Sequence, residues 1–277
     1  MRVMNTPALP HRSTPPVTFG DHLRHWRRRR RFSQMDLAHV AEVSARHLSC
    51  VETGRASPSR EMVLRLVERL DVPLRERNDW LVAAGFAPMY RARPLDDPEM
   101  ASARDAVQRI LDCHAPWPAL AMDRHWNLVM HNRLVPLLIA GAAPELLQGQ
   151  VNVLRLSLHP QGLAPRIANL RQWREHLFER LRQQIRATGD AALMALLKEL
   201  QAFPDVSGTQ AVALPGEHPG VLMPFQFQTE HGALQLVSTT TVFGSPVDIT
   251  LQELALETFF PADEASARLL RALAAQG

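Results

Sequence analysis

The stretch SQMDLAHVAEVSARHLSCVETG, residues 33–54, constrains the fold more than any other part of the chain. Ser33 precedes QMDLAHVA and Ser44 precedes ARHLSCVET, each where a hydroxyl would accept from the free N–H groups of a first helical turn. Leu37 and Val40 face inward from the first helix, Leu48 and Val51 from the second. Ala38 and Ala41 permit close approach, Val43 fills the bend, and Gly54 stops the second helix. Helices this short bury little surface between them, so something other than core building fixes their geometry.

Their surroundings say what that is. TFGDHLRHWRRRRRF predicts a helix over about residues 18–30, with Phe19, Leu23 and Trp26 on its narrow apolar face. Pro58 and Ser59 open a fourth helix, REMVLRLVERL, and PLRERNDWLVAAGF gives a fifth that ends at Gly85. Five short helices with a brief bend between the second and third form a helix-turn-helix, which projects its third helix into a DNA major groove. Charge agrees: residues 1–95 hold 17 arginines against 9 acids, and the remainder 14 basic residues against 19 acids. A basic front part suits a polyanion. The run Arg27 to Arg31 wraps all faces of its helix, so at least one of the five must turn inward.

SQMDLAHVAEVSARHLSCVETGRASPS resembles the phage-repressor and Cro class, the XRE type, in which SQxxLAxxAxVSxxxLSxxExGxxxPS recurs. The resemblance spans about 65 residues and implies a lambda-repressor-like bundle bound to double-stranded DNA. The outward face of the third helix carries Ala45, Arg46, Ser49 and Cys50, with Ser44 and His47 alongside; Arg46 can pair with two acceptors on a guanine edge. Ser33, Gln34, Arg55 and Arg60 stand where the family touches phosphates, contacts that position without specifying. The resemblance also implies that Glu52 pairs with Arg27 inside the domain. Where the family often has glycine at the end of the first helix this chain has Arg31, which predicts a slightly longer helix.

Residues 1–16 read as a proline-rich, disordered tail, 17–88 as the DNA-binding domain, 89–103 as a linker and 104–277 as a second domain. In the second domain a helix is expected over about 101–113, then a hairpin in PALAMDRHWNLVMHN turning at Asp123–His125. RIANLRQWREHLFERLRQQIRATGD places Ile167, Leu170, Trp173, Leu177, Leu181 and Ile185 on one helical stripe ended by Gly189. AALMALLKELQAF reads as a deeply buried helix. PFQFQ and ALQLVSTTTVF read as strands about a turn at His231–Gly232, VDITLQELALETFF as strand or helix on periodicity with strand favoured by its Thr, Ile and Phe, and Asp263 as the start of a last helix. The whole is α+β: a five-helix bundle followed by an antiparallel sheet with covering helices.

The hairpin followed by Asn132 resembles the start of a PAS domain. NVLRLSLHPQGLAPRIANLRQWREHL and LVSTTTVFGSPVDITLQELALETFFPADEAS resemble the ligand-binding domain of MmyB-like transcription regulators. That resemblance implies a PAS-like domain holding an elongated apolar molecule such as a fatty acid. On it, Trp126, Met130, Trp173, Leu177, Phe225, Phe227, Leu236 and Phe259 are the expected pocket lining, and Arg155, His159 or Arg166 the candidates to meet a carboxylate at its mouth; of these, Arg155 reads as an internal ion-pair partner before an anion anchor.

No nucleophile elbow, phosphate-binding glycine loop or HExxH spacing occurs, and His22 with His25 supplies only two ligands, so neither enzymatic activity nor a metal or other cofactor is expected beyond a bound apolar effector. No apolar run reaches 18 residues and the front end lacks a signal-peptide core, so a cytoplasmic protein without membrane insertion is expected. The expectation is a homodimeric DNA-binding regulator that senses a small apolar molecule. The alternative is a regulator whose second domain is a ligand-free dimerisation or protein-interaction module.

Overall fold

In the computed structural model the described residues are 17–204, 223–244 and 248–276. The chain divides into two compact units, Met1–Ala92 and Arg93–Gly277. The expected tail, residues 1–16, lies outside the described residues.

The first unit holds α1 (Phe19–Arg29), α2 (Gln34–Val40), α3 (Ala45–Glu52), α4 (Arg60–Arg69) and α5 (Leu74–Ala83). Thr18, Ser33, Ser44 and Ser59 each cap the next helix by accepting from the N–H three residues on. Asp21 and Asp36 return the bond to the backbone N–H of Thr18 and Ser33, so α1 and α2 start with complete capping boxes. Leu23, Trp26, Leu37, Leu48, Val51, Leu66 and Trp80 meet in the core. Gly20 lets α1 lie directly on the end of α3, because a Cβ there would collide with the Glu52 carbonyl oxygen.

All five helices end the same way. The N–H groups of Phe32, Val43, Arg55, Val72 and Phe86 reach back over a turn to the carbonyls of Arg27, Ala38, Cys50, Val67 and Leu81. The motif needs a left-handed residue just before, and these are Arg31, Glu42, Gly54, Asp71 and Gly85. Arg31, at φ 59°, therefore adopts the left-handed conformation in spite of its side chain, and α1 stops at Arg29 instead of running on. The conformation costs roughly 1 kcal/mol for a non-glycine residue; the back-bonds and the packing of Phe32 against the core offset it.

The second unit comprises α6 (Ala101–Cys113), β1 (Ala119–Met122), β2 (Leu128–His131), α7 (Val135–Ile139), α8 (Val153–Leu158), α9 (Leu170–Thr188), α10 (Ala191–Gln201), β3 (Phe225–Thr229), β4 (Gly232–Val242), α11 (Ile249–Gln252), β5 (Ala255–Pro261) and α12 (Glu264–Gln276). The strands form one antiparallel sheet in the order β2-β1-β5-β4-β3. One face meets α8, α9 and α10 in a core built on Leu154, Leu156, Trp173, Leu177, Phe225 and Phe227. The reverse face carries Ala119, Ala121 and Leu256, which pack with Leu95, Val107 and Leu111. Buried Asn132 ties the hairpin down: its amide donates to the carbonyls of Leu111 and Trp117, and its oxygen accepts from the N–H groups of Ala119 and Leu134.

The boundary between the units falls within 89–103, where Asn78 grips the backbone of Met89 and Tyr90, Leu95 and Met100 are buried in the second unit, and Ala101 begins α6. Three sequence expectations are corrected. VDITLQELALETFF is not one strand, because Asp248 caps the single turn of α11 before β5 begins. α10 buries only the stripe Leu193, Leu196 and Leu200, leaving Met194 exposed. Ile167 precedes α9 and bridges to Phe227.

Candidate DNA-reading surface and ligand cavity

In the first unit α3 presents Ser44, Ala45, Arg46 and His47 to solvent, while Ser49 and Cys50 are half-buried. Exposed Arg46, Arg55 and Arg60 have no acidic partner among the described residues, which leaves three guanidinium groups for an outside anion. The hydroxyls of Ser33 and Ser44 act as helix caps, and Gln34 hydrogen-bonds to Glu52.

The arginine run is mostly spent within the unit. Arg27 turns inward and grips the buried Glu52 carboxylate through two bonds of 2.7 and 2.9 Å. Arg29 and Arg30 lie over the Trp26 ring, and Arg30 also binds the Leu70 and Asp71 carbonyls at the end of α4. Arg28 and Arg31 remain exposed. The Glu52–Arg27 pair implied by the family resemblance is thus present, and it fixes the end of α3 to α1.

In the second unit a cavity of about 100 Å³ lies between the sheet and α7, α8 and α9. Its wall is aliphatic and aromatic apart from Ser157, Arg180 and Glu257. Trp126, Trp173, Leu177, Phe225, Phe227 and Phe259 stand in that wall, as the sequence reading placed them. Met130 does not: it pairs with Ala121 on the reverse face of the sheet. Leu236 is wholly buried in the same core without reaching the cavity. Arg155 is held by both oxygens of Glu199, at 2.6 and 2.8 Å, so it takes the ion-pair role. Arg166 lies over the Phe227 ring, donates to the Leu138 carbonyl and is not part of the wall; His159 packs edge-on against Phe203, also outside it.

The polar end of the cavity escaped the sequence reading. Arg180 binds Glu257 through two bonds of 3.0 Å and Thr240 at 2.9 Å, with its guanidinium over the Trp126 ring. A signal existed: Arg180 falls on the stripe of Trp173 and Leu177, and Glu257 alternates in phase with Phe259. Trp126 is held at φ 67°, with Asp123 accepting from the N–H groups of His125 and Asn127 around it, and its ring N–H donates to Gln184 at 2.7 Å. Trp173 donates to Ser157 at 3.0 Å and stacks on His176. Burial, then the charge of Arg180, holds the His176 imidazole below the usual histidine range.

A helix-turn-helix with exposed cations on and just beyond its third helix, followed by an α+β unit enclosing an apolar cavity, defines a DNA-binding transcription regulator with a ligand-binding domain. Residues 103–273 match the family model of the MmyB-like transcription regulator ligand binding domain, and residues 18–80 match a helix-turn-helix domain; the chain belongs to the MmyB-like transcription regulator family. Among solved structures, the clp gene regulator ClgR from Corynebacterium glutamicum is similar at 24% identity, covering 36% of this chain and 94% of that one, with a TM-score of 0.22. No curated protein matches the chain. Among the described residues no helix is long and apolar enough to cross a membrane, and no group of three or more His, Cys, Asp or Glu is placed to hold a metal ion.

Proposed function

We propose that the second unit is a PAS-like sensor of a small apolar molecule such as a fatty acid, and that a homodimer of the chain reads two half-sites in double-stranded DNA. The cavity carries this reading: its wall is apolar almost throughout, with the Arg180–Glu257 pair and Ser157 as its few polar groups, which suits an amphiphile held by its polar end. The five-stranded antiparallel sheet with helices over the cavity face supports the PAS-like assignment. Arg46 with neighbouring surface on α3 reads base edges, and Arg55 and Arg60 hold phosphates.

A route for coupling is built into β5. Glu257 and Phe259 line the cavity from one face, whereas Leu256 packs with Leu95 on the other. Thr250, in the turn before β5, donates to the Arg93 carbonyl at 2.6 Å. Residues 93–95 follow directly on the first unit, so a shift of β5 would be felt where the two units are joined. A ligand shifts the DNA-binding equilibrium only if it binds the two arrangements unequally, and a few kcal/mol of difference gives a ten- to hundredfold response.

One observation favours the alternative, a dimerisation or interaction module with a filled core. At about 100 Å³ the cavity is smaller than the roughly 300–1,000 Å³ of ordinary ligand pockets, so a long chain enters only if the covering helices part. Mass spectrometry of lipids extracted from the purified protein separates the two. Sensing predicts an aliphatic compound at near-stoichiometric yield, or a ligand that at tenfold over its Kd stabilises the protein by about 1.4 kcal/mol. Clean protein with no thermal shift for any aliphatic compound establishes the filled module.

A further inference from the structure

The ionisable groups in the cavity wall, Arg180 of α9 and Glu257 of β5, neutralise one another. Glu257 is 5% exposed, and both of its oxygens are engaged. Oε1 accepts from Arg180 Nη1, and Oε2 accepts from Arg180 Nη2 and from Thr240 Oγ1. Thr240 accepts in turn from Arg180 Nη2, so the three side chains close a ring. Donors remain for a ligand: the bonds to Glu257 and Thr240 use three of the five Arg180 N–H groups, which leaves Nε–H and one N–H on Nη1. Arg180 Nε has no partner among the described residues, and Ser157, whose oxygen accepts from Trp173, keeps its own hydroxyl hydrogen.

We infer that the cavity's ligand is uncharged at its polar end, an alcohol, ester or protonated acid on an aliphatic chain, and that Glu257 is the residue that imposes this choice. An ionised carboxylate brought into this wall would lie beside the charge of Glu257, with the cation that should receive it already held at two points. It would also give up its hydration in surroundings that are otherwise hydrocarbon, and such a group neutralises instead of entering charged. An uncharged oxygen needs one donor and meets none of this repulsion. The inference rests on the reading of the cavity as a ligand site, and it makes that ligand neutral where a fatty acid would ordinarily be an anion.

The pH dependence isolates the charge of the ligand. Besides the pair itself, the titratable group facing it among the described residues is His176 on the same helix; Thr240 from β4 and Trp126 from the hairpin are uncharged partners. His176 titrates below the usual histidine range, so it stays neutral in mildly alkaline solution.

The test titrates the full chain with a medium-chain fatty alcohol, the methyl ester and the free acid of the same chain, between about pH 7 and about pH 9, well above an ordinary carboxyl pKa. The alcohol and ester are expected to bind with pH-independent affinity, and the acid to weaken about tenfold per pH unit, since only its protonated form enters. In Glu257→Gln the Arg180 guanidinium is released to receive the anion, so the acid is expected to bind at least about tenfold more tightly at the alkaline end and to lose its pH dependence. Wild-type protein that binds the acid as tightly as the alcohol at the alkaline end, with no pH dependence, overturns the inference and leaves the sensor reading standing. Failure of all three compounds to bind the wild type overturns the sensor reading and the inference with it. The wild-type series decides the matter even if the variant does not fold.

Discussion

Glu52→Ala is expected to destabilise the first unit by about 3 kcal/mol and to lower its melting temperature by roughly 12–24 °C. The carboxylate is almost wholly buried, with a side-chain exposure of 3%, and Arg27 beside it is only 12% exposed. Two bonds from Arg27, a longer contact from Arg24 and a hydrogen bond from Gln34 converge on it. Truncation leaves the Arg27 charge enclosed with nothing opposite, which is the costly way to break a buried pair. It also frees the end of α3 from α1, where Gly20 already brings the two backbones into contact. Calorimetry of the full chain, following the transition of the first unit, gives the number. Glu61→Ala is the matched control: that carboxylate pairs with Arg65 four residues along the same helix at 2.9 Å but is 82% exposed, so its loss should cost less than about 0.5 kcal/mol. A loss at Glu52 no larger than at Glu61 would mean that the pair does not hold the unit together.

The same carboxylate sets a pH limit. Burial alone would raise the Glu52 pKa, but Arg27, then Gln34 and Arg24, more than compensate and hold it below the usual glutamate range. A depressed folded pKa means stability that is fully present above the unfolded value near 4.5 and is lost as pH falls through the folded value. The Glu52 share of the stability should therefore disappear on acidification, and the wild type and Glu52→Ala should converge in melting temperature there.

The first unit was legible because its determinants are local. A cap, a small residue, an inward pair and a stop all act within one helix, and Ser33, Ser44, Ser59 and Gly54 announce them in order. Where the reading failed, at Arg31, it weighed the cost of a left-handed arginine without the gain from the hydrophobic residue that follows. Phe32 supplies that gain, and Val43, Val72 and Phe86 stand in the same place after their helices.

The second unit was legible by element and less so by face. A strand shows which residues alternate but not which set turns toward the helices, and the register shift in the β1–β2 pairing between Ala121 and Met122 reverses the guess at Met130. The aromatic wall could be named because large side chains on two amphipathic elements have to meet. The choice among arginines could not, because each partner is remote in sequence. Glu199 lies 44 residues from Arg155, and Glu257 lies 77 residues from Arg180. Asp248, by contrast, is a cap signal that was present in the sequence ahead of ITLQ, and it marks the turn of helix that was read as strand.

Arg46→Ala and Arg55→Ala are expected to weaken DNA binding in different ways, and the difference tests how the first unit docks. Arg46 stands at the second position of α3, exposed and without an acidic partner among the described residues, where a guanidinium reaches a base edge if α3 lies in the major groove. Its removal should cost about 1–3 kcal/mol on a duplex selected by the protein from random sequence, roughly five- to 150-fold, and should relax preference at the base pair it reads. Arg55 follows the glycine that ends α3, and in the proposed docking its side chain meets the backbone of the duplex and not its bases. Its removal should weaken selected and unselected duplexes alike and reduce the slope of log affinity against log salt by about one. The contrast follows from chemistry: phosphates are the same at every step, and only base edges distinguish one sequence from another. Competition binding at several salt concentrations reads both effects. If Arg46→Ala weakens every duplex equally while Arg55→Ala changes sequence preference, the two roles are exchanged and α3 enters the groove in another orientation. If neither changes affinity or footprint, α3 is not the reading helix.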